Sequence, residues 1–370
     1  VTQYRYLFAD LITNTIIGEL PLTAVNFTAQ LNAAGSFTGS LQLSDLRESA
    51  LNINNSTIPG RTAIYVDRDG LIVWAGILWS REYDSQTQTL MFIGAEFETY
   101  FERRRVAQTQ TFVNKDQLEI ARSLFTYAQS LTNGNIGIQV GAETSGVLVS
   151  RTFYGYEQKS VYQAMLDLSQ AGTGGSSSAG FDFNIHSYYD GSGNIVKQLV
   201  LGYPMSGIRY TSTSISVPTF EFPAGNINAY RYSEDGMSCA NTFTTFGAGS
   251  NEGQLQQTAT ATSQLTAGWP LLEDIGNYSD INDTTLLSNI ASGRVAAVQN
   301  PPINLTLTVP ANQTPTLGSY GPGDDVRVRI IDDRFPNGLD AIYRLVSLSV
   351  SAGETSAELV TITLTLPTTS

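Results

Sequence analysis

Carboxylates are the residues of this chain whose types and spacing come closest to chemistry. Asp324-Asp325 and Asp332-Asp333 are its densest acidic spots, and a glycoside hydrolase needs only two such groups at the right separation. Both pairs fall at the ends of period-two apolar runs, where aspartate also satisfies turn geometry, and we read them as turn formers. Asp67-x-Asp69-Gly70 has the opening of a calcium loop but lacks the third ligand and distal glutamate of an EF-hand, so it reads as a hairpin turn. The single histidine, His186, lies in the strand-like run FDFNIHSYY. No G-x-S-x-G nucleophile elbow accompanies it, which favours a strand residue over a catalytic base. The glycine-rich run 172–180 is followed by no Lys-Ser/Thr and preceded by a helical pattern, so it reads as an exposed loop and not as a phosphate cradle. The sequence therefore points to no enzyme, no cofactor and no metal.

These residues are held by strands. In residues 60–95, Ile64 and Val66 alternate with Tyr65, and Ile72, Trp74, Gly76 and Leu78 continue the pattern after Asp67–Gly70. With a turn at Tyr83-Asp84-Ser85 and a strand from Thr89 to Ile93, the spacing predicts a three-strand meander. The layout returns in residues 323–366. There Val326, Val328 and Ile330 alternate with arginines, Asn337-Gly338 turns, and Tyr343–Val350 and Val360–Leu366 form the return strands. Residue identity between the two is low, so the repeat is one of layout. Trp74 and Trp79, five residues apart, are expected on opposite faces, one in the core and one towards a partner.

Further strands are expected at Tyr4–Asp10, Thr15–Leu20, Val25–Leu31 and Ser36–Leu43, with a weak helix over Ser44–Ile53. Phe97, Tyr100 and Phe101 lead into Arg103-Arg104-Arg105, a basic exit from a β-domain or a contact for an anion or partner. Next comes a helix capped by Asn114 with Leu118, Ala121, Phe125 and Ala128 on one face, and a second helix over Glu157–Gln170. A strand at Ile136–Val140 and a hairpin, Phe181–Ile185 against Gln198–Gly202, complete an α+β insert. Beyond it, strands are expected at Ile215–Phe222, Ala229–Ser233 and Thr242–Phe246, and then a long polar loop over Gly247–Leu265. A helix over Thr284–Val298 with Asp283 as its cap follows, and then a strand over Ile303–Val309. The fold class is mainly β with an α+β insert: a first barrel-like domain over 1–105, the insert over 106–209 and a second barrel-like domain over 210–370.

The 370 residues are 41% hydrophobic but only 14% charged, against a usual ~25%. Such a surface suits β-rich extracellular or virion proteins. The net charge of −13 repels phosphate and argues against sequence-independent nucleic-acid affinity. One cysteine, Cys239, excludes an internal disulfide and a thiolate cluster, and reads as a buried thiol. No apolar run is long enough to cross a membrane as a helix, and no signal peptide is expected at VTQYRYLFAD.

Residues 60–105, with LTAVNFTAQLNAAGSFTGSLQLSD (22–45) upstream, resemble the minor tail proteins of long-tailed, siphovirus-type phages of actinobacteria. Those are similar in layout to the baseplate hub proteins of tailed phages and related injection machines. The resemblance is strongest over 1–105 and persists as layout through LGSYGPGDDVRVRIIDD (317–333) and the last meander. It implies two barrel-like domains side by side in each chain and a homotrimer forming a ring of six barrels at the virion tail tip. The implied partners are tail-tube or distal tail proteins and tip or fibre proteins, with DNA passing through without specific binding. Ending at Ser370 after its last strand, the chain is expected to lack the C-terminal peptidase, lysozyme or fibre domains of larger members.

Two other functions remain open from the residues. One is carbohydrate binding for attachment to host glycans, for which the 18 tyrosines are suited; the other is a glycan hydrolase using the aspartates. In the hub reading, turns between barrel strands gather at rims. Asp67, Asp69, Asp324, Asp325, Asp332 and Asp333 are then the candidates for a channel-facing acidic wall. Weakly charged strands such as VTITLTL (360–366) are expected at sheet edges that a neighbouring copy must cover.

Overall fold

Turn chemistry and alternation build the N-terminal unit. In the computed structural model, residues 2–43, 53–170, 180–210, 217–279, 281–352 and 358–366 are described. The unit comprises β1 (Tyr4–Asp10), β2 (Ile16–Glu19), β3 (Thr23–Gln30), β4 (Ser36–Gln42), the short helix α1 (Ile53–Ser56), β5 (Thr62–Arg68), β6 (Leu71–Asp84) and β7 (Thr89–Glu96). Asp69 (φ 54°) and Gly70 (φ 85°) both adopt the left-handed conformation that a tight β5–β6 reversal demands. The next turn falls at Ser85–Gln88, later than the sequence suggested, because β6 runs on through Asp84 against β7. Most of the helix expected over Ser44–Ile53 and nearly all of the glycine-rich run 172–180 lie outside the described residues.

The middle of the chain supplies α2 (Glu98–Glu102), β8 (Gln110–Asp116), α3 (Gln117–Ser130), β9 (Ile138–Val140), β10 (Leu148–Phe153), α4 (Val161–Gln170), β11 (Asp182–Tyr189) and β12 (Ile195–Gly202). Leu118, Ala121, Phe125 and Ala128 form the buried face of α3, as their spacing predicts. The cap is Asp116, not Asn114: its Oδ1 accepts from Leu118 N–H at 2.8 Å, while Asn114 (φ 50°) sits in an irregular part of β8. The second helix starts at Val161, four residues later than expected, after a 3-10 turn that ends with Gln158 at φ 48°.

The rest comprises β13 (Thr219–Phe222), β14 (Ala229–Glu234), β15 (Thr242–Phe246), β16 (Gln256–Thr260), α5 (Thr262–Thr266), β17 (Glu273–Asn277), α6 (Thr284–Val298), β18 (Ile303–Pro310), β19 (Asp325–Ile330), β20 (Leu339–Ser351) and β21 (Leu359–Thr365). Gly247–Leu265 is not one long loop. It carries β16 and most of α5, and β16, β15 and β17 form a small sheet under α6. Polar strands such as QQTAT pair through their backbones and show no apolar alternation. Asp283 caps α6 as expected, accepting from Thr285 and Leu286 N–H.

The two meanders are the centres of two barrel-like units with one pairing plan. The first runs β1-β5-β6-β7-β4-β3 and the second β13-β19-β20-β21-β18-β14. Corresponding pairs are antiparallel in both, except that β13 runs parallel to β19. Even the bulge recurs, at Leu78/Ser80 in β6 and at Leu345/Ser347 in β20. β3 also pairs with β20, joining the units into one 13-stranded sheet. The VTITLTL strand, β21, is no edge: it is paired on one side with β18 and on the other with β20.

Two large cores follow from this arrangement. One lies inside the strands of both units and includes Phe8, Phe27, Phe37, Trp74, Phe92, Val328, Tyr343, Val350 and Ile362. The other lies between the outer face of β1, β5 and β6 and the insert, joining Tyr65, Ile77 and Phe97 to Leu124, Phe125 and Met165. Because β5 is covered on both faces, Thr62–Asp67 is buried without a break. Trp74 and Trp79 do occupy opposite faces. Trp74 is in the inner core, and Trp79 is half-buried against the insert-side core.

Candidate functional site

Three of the six turn aspartates are interior anchors. Asp67 is 1% exposed, with Oδ1 accepting Gly70 N–H and Oδ2 accepting the Tyr189 hydroxyl, each at 2.7 Å. Tyr189 belongs to the insert, so this carboxylate ties β5 to β11; burial, and then the carboxylate beside it, pushes the tyrosine hydroxyl up to about 12. Asp324 accepts Ile208 N–H (2.6 Å) and Gly321 N–H (2.8 Å). Asp325 accepts Tyr210 N–H (2.8 Å) and lies 3.2 Å from an Arg209 guanidinium nitrogen. Burial holds Asp324 above the usual carboxylate range, so its two amide partners are what keep it tolerable in the interior.

The other three lie outside. Asp69 is exposed and accepts Gln3 N–H at 2.8 Å. Half-buried Asp332 accepts Arg334 and Phe335 N–H and the Tyr230 hydroxyl, and these bonds hold it below its ordinary value. Asp333 is exposed. The adjacent pairs thus serve different neighbours. Asp324 and Asp325 bind separate backbone amides, and Asp332 closes its own turn while Asp333 points to solvent.

The remaining candidates are structural. His186 is on the exposed face of β11, and Asp324, the charged group within its reach, already accepts two amides. Arg103 lies over the Trp79 ring at 5.5 Å; Arg104 lies over Tyr100 and donates to Ala128 O. The arginine run therefore fastens the insert to the first unit. Cys239 is buried. Among the described residues no group of three His, Cys, Asp or Glu could hold a metal ion, and no helix is long and apolar enough to cross a membrane.

The strongest polar features escaped the sequence reading because each joins distant segments. Asp182 of the insert is paired with Arg344 of β20 and accepts Asn32 and Ser206 amide hydrogens, so it meets both barrel-like units. Arg68 of β5 makes two 2.8 Å bonds to Glu358, the residue just before β21, and Tyr4 donates to the same carboxylate. Glu98, 3% exposed, accepts Ile185 N–H with one oxygen (2.7 Å) and has no partner for the other. Burial pushes its carboxyl up to about 7 and, with Glu98 nearby, raises Glu96 as well. Lys197, 1% exposed, points at Leu11 O (3.3 Å) and the Phe97 ring; burial lowers its ammonium to about 8. The one legible hint was the pair of glutamates set among aromatics at Glu96–Phe101.

What the surface offers is open strand edges. β2, β13 and β14 end the sheet among the described residues, and Ile16 and Ile17 of β2 are exposed. No family model matches the chain, and no curated protein matches it. Solved structures do. The chain is similar to a tail protein of Neisseria meningitidis at TM-score 0.63 and 17% identity, over 97% of this chain and 96% of that one. It is similar to the 43 kDa tail protein of prophage MuSo2 of Shewanella oneidensis at TM-score 0.63 and 15% identity, over 98% of each. It is also similar to the prophage tail protein gp18 of Listeria monocytogenes at TM-score 0.57 and 13% identity, over 99% and 95%. At such identities the likeness is one of fold, and it runs the length of the chain. The protein therefore has a phage-tail-protein fold, mainly β, with two barrel-like units and an α+β insert.

Proposed function

We propose that this chain is a non-catalytic structural component of a phage-type tail, acting at the tail tip as a hub. Three copies form a ring of six barrel-like units around a passage for DNA, and the ring joins the tail tube to tip or receptor-binding proteins in the virion. The working division is 1–105 and 210–370 as ring domains and 106–209 as outward decoration. The observation that carries this reading is the repeated pairing plan, with the two units already joined edge to edge through β3 and β20. The net charge of −13 suits a wall past which DNA slides, since each cation facing it would add a phosphate contact. Asp69, Asp332 and Asp333 keep surface exposure and are the members of the six that face the channel in this proposal. Electron microscopy of the assembled protein tests it: six lobes around an acidic opening are expected. An opening lined by Arg327, Arg329 or Arg103–Arg105 would overturn the non-stick wall, and a particle with no opening would overturn the hub.

A second reading has one observation in its favour. Tyr154 and Tyr156 of the insert stack at 5.3 Å while 45% and 79% exposed, a face suited to a sugar ring. Binding of host cell-wall polysaccharide that is lost in Tyr156→Ala would support glycan attachment.

A further inference from the structure

The two units can be aligned rung by rung from their strand pairing alone. Across the first, Phe27 faces Phe37, Phe37 faces Gly94 and Gly94 faces Leu78. Across the second, Tyr232 faces Leu305, Leu305 faces Leu364 and Leu364 faces Leu345. Phe27 thus corresponds to Tyr232 and Leu78 to Leu345, and the shared bulge carries the match on so that Tyr83 corresponds to Val350.

One contact breaks the symmetry. β20 outruns β19: its first half, Leu339–Arg344, pairs with β19, and its second, Ser347–Ser351, pairs with β3. β6 outruns β5 in the same way, the pairing ending at Ala63↔Ile77. Among the described residues, Ser80–Asp84 is paired with β7 and with nothing on its other side. β14, the counterpart of β3, is likewise paired with β18 alone. One seam is filled within the chain; its counterpart is left as two complementary open edges.

We infer that β14 of one copy pairs antiparallel with the end of β6 of the next copy, repeating the β3–β20 contact between chains. The inference rests on the reading that copies of this chain assemble side by side. It names the edges and the register. Within the chain, Asn26 faces Ser351, Phe27 faces Val350, Thr28 faces Ser349 and Ala29 faces Leu348. Carried across, Arg231 faces Asp84, Tyr232 faces Tyr83, Ser233 faces Glu82 and Glu234 faces Arg81. Two of its four rungs set opposite charges together: Arg231 with Asp84, and Glu234, which also pairs with Arg334 of its own chain, with Arg81, which also donates to Asn54 O and Thr57 O of its own chain. A slip of two residues either way leaves at most one. Exposure agrees as well. Phe27 and Val350 are fully buried at the filled seam, whereas Tyr83 is 52% exposed and Tyr232 half-buried at the open one. Because the two edges differ, the contact is head-to-tail, the type that closes into a ring when the rotation permits.

Directly opposed residues of antiparallel strands lie about 4.5–5.5 Å apart at Cα, within disulfide range. In a Cys239→Ser background, Glu82→Cys with Ser233→Cys should cross-link chains to one another under oxidation and release them under reductant. Either cysteine alone should not. Arg231→Asp, at an exposed position, should weaken association at least about tenfold by placing like charges together, and adding Asp84→Arg should restore most of it. If the protein assembles by mass yet the double cysteine variant does not cross-link and Arg231→Asp changes nothing, the pairing is wrong and the assembly reading stands. A chain that stays monomeric at every concentration fails that reading, and this pairing with it.

Discussion

The two barrel-like units differ less in backbone than in what covers them. Their strands pair in one plan with one bulge, but corresponding residues differ wherever the surroundings do. Ile77 of β6 and Arg344 of β20 occupy equivalent rungs, facing Ala63 and Asp325. Ile77 is fully buried in the apolar core shared with the insert. Arg344 is also buried, yet it reaches Asp182 of the insert as a paired charge, with burial pulling its guanidinium below the usual range. The first unit thus holds the insert across a shared apolar core as well as through polar ties such as Asp67–Tyr189, whereas the second holds it through polar ties such as Arg344–Asp182. The pairing plan sets where a residue sits, and the neighbouring layer sets what it must be.

Breaking each side of that comparison should have unequal effects. Phe27→Ala, at the filled seam, is expected to cost about 3–5 kcal/mol of unfolding free energy. Tyr232→Ala, at the open seam, should cost the lone chain about 1–2 kcal/mol, since this half-buried ring lies at the margin of the inner core, against Phe335 and Arg334. Equal losses in urea titrations would mean that the two seams are not different. Arg344→Met leaves Asp182 as a buried, uncompensated carboxylate and should cost about 3–5 kcal/mol. Asp182→Asn together with Arg344→Met should recover part of that.

The tie at Glu98 adds a pH dependence. Its folded value of about 7 lies above the ordinary carboxylate range, so the fold favours the neutral acid. That stability is complete at pH values below the ordinary range and is lost as pH rises through about 7. The total loss is on the order of 3 kcal/mol. Glu98→Gln, uncharged throughout, should flatten this decline; an unchanged slope of stability against pH would show that Glu98 is not its source. The smallest contrast is among the aspartates. Asp324→Ala strands two amides and should cost about 1–3 kcal/mol, whereas exposed Asp333→Asn should stay within about 0.5 kcal/mol.

Local rules in the sequence were enough for the meanders, because alternation and an Asp-Gly reversal act within a few residues. The same holds for α6, where Asp283 stands just before an apolar run and accepts from Thr285 and Leu286 N–H, within its own first turn. Asn114 and Asp116 are both good caps two residues apart, and what selects Asp116 is its second oxygen, which accepts Ser145 and Gly146 N–H some thirty residues away. VTITLTL looks like an exposed edge in need of cover because it is uncharged, but edge or centre is decided by β18 and β20, not by the strand itself. The turn aspartates were found by type. Their division into buried anchors and exposed carboxylates was not legible, since Tyr189, Ile208 and Tyr210 reach them from the insert and the segment beyond it.

If the two units are repeated around a ring of three chains, the mass of the purified protein shows it most directly. Native mass spectrometry at micromolar concentration should give a species of about 120 kDa, three times the 40.0 kDa of one chain. A single species at the mass of one chain, unchanged as concentration rises, would contradict it.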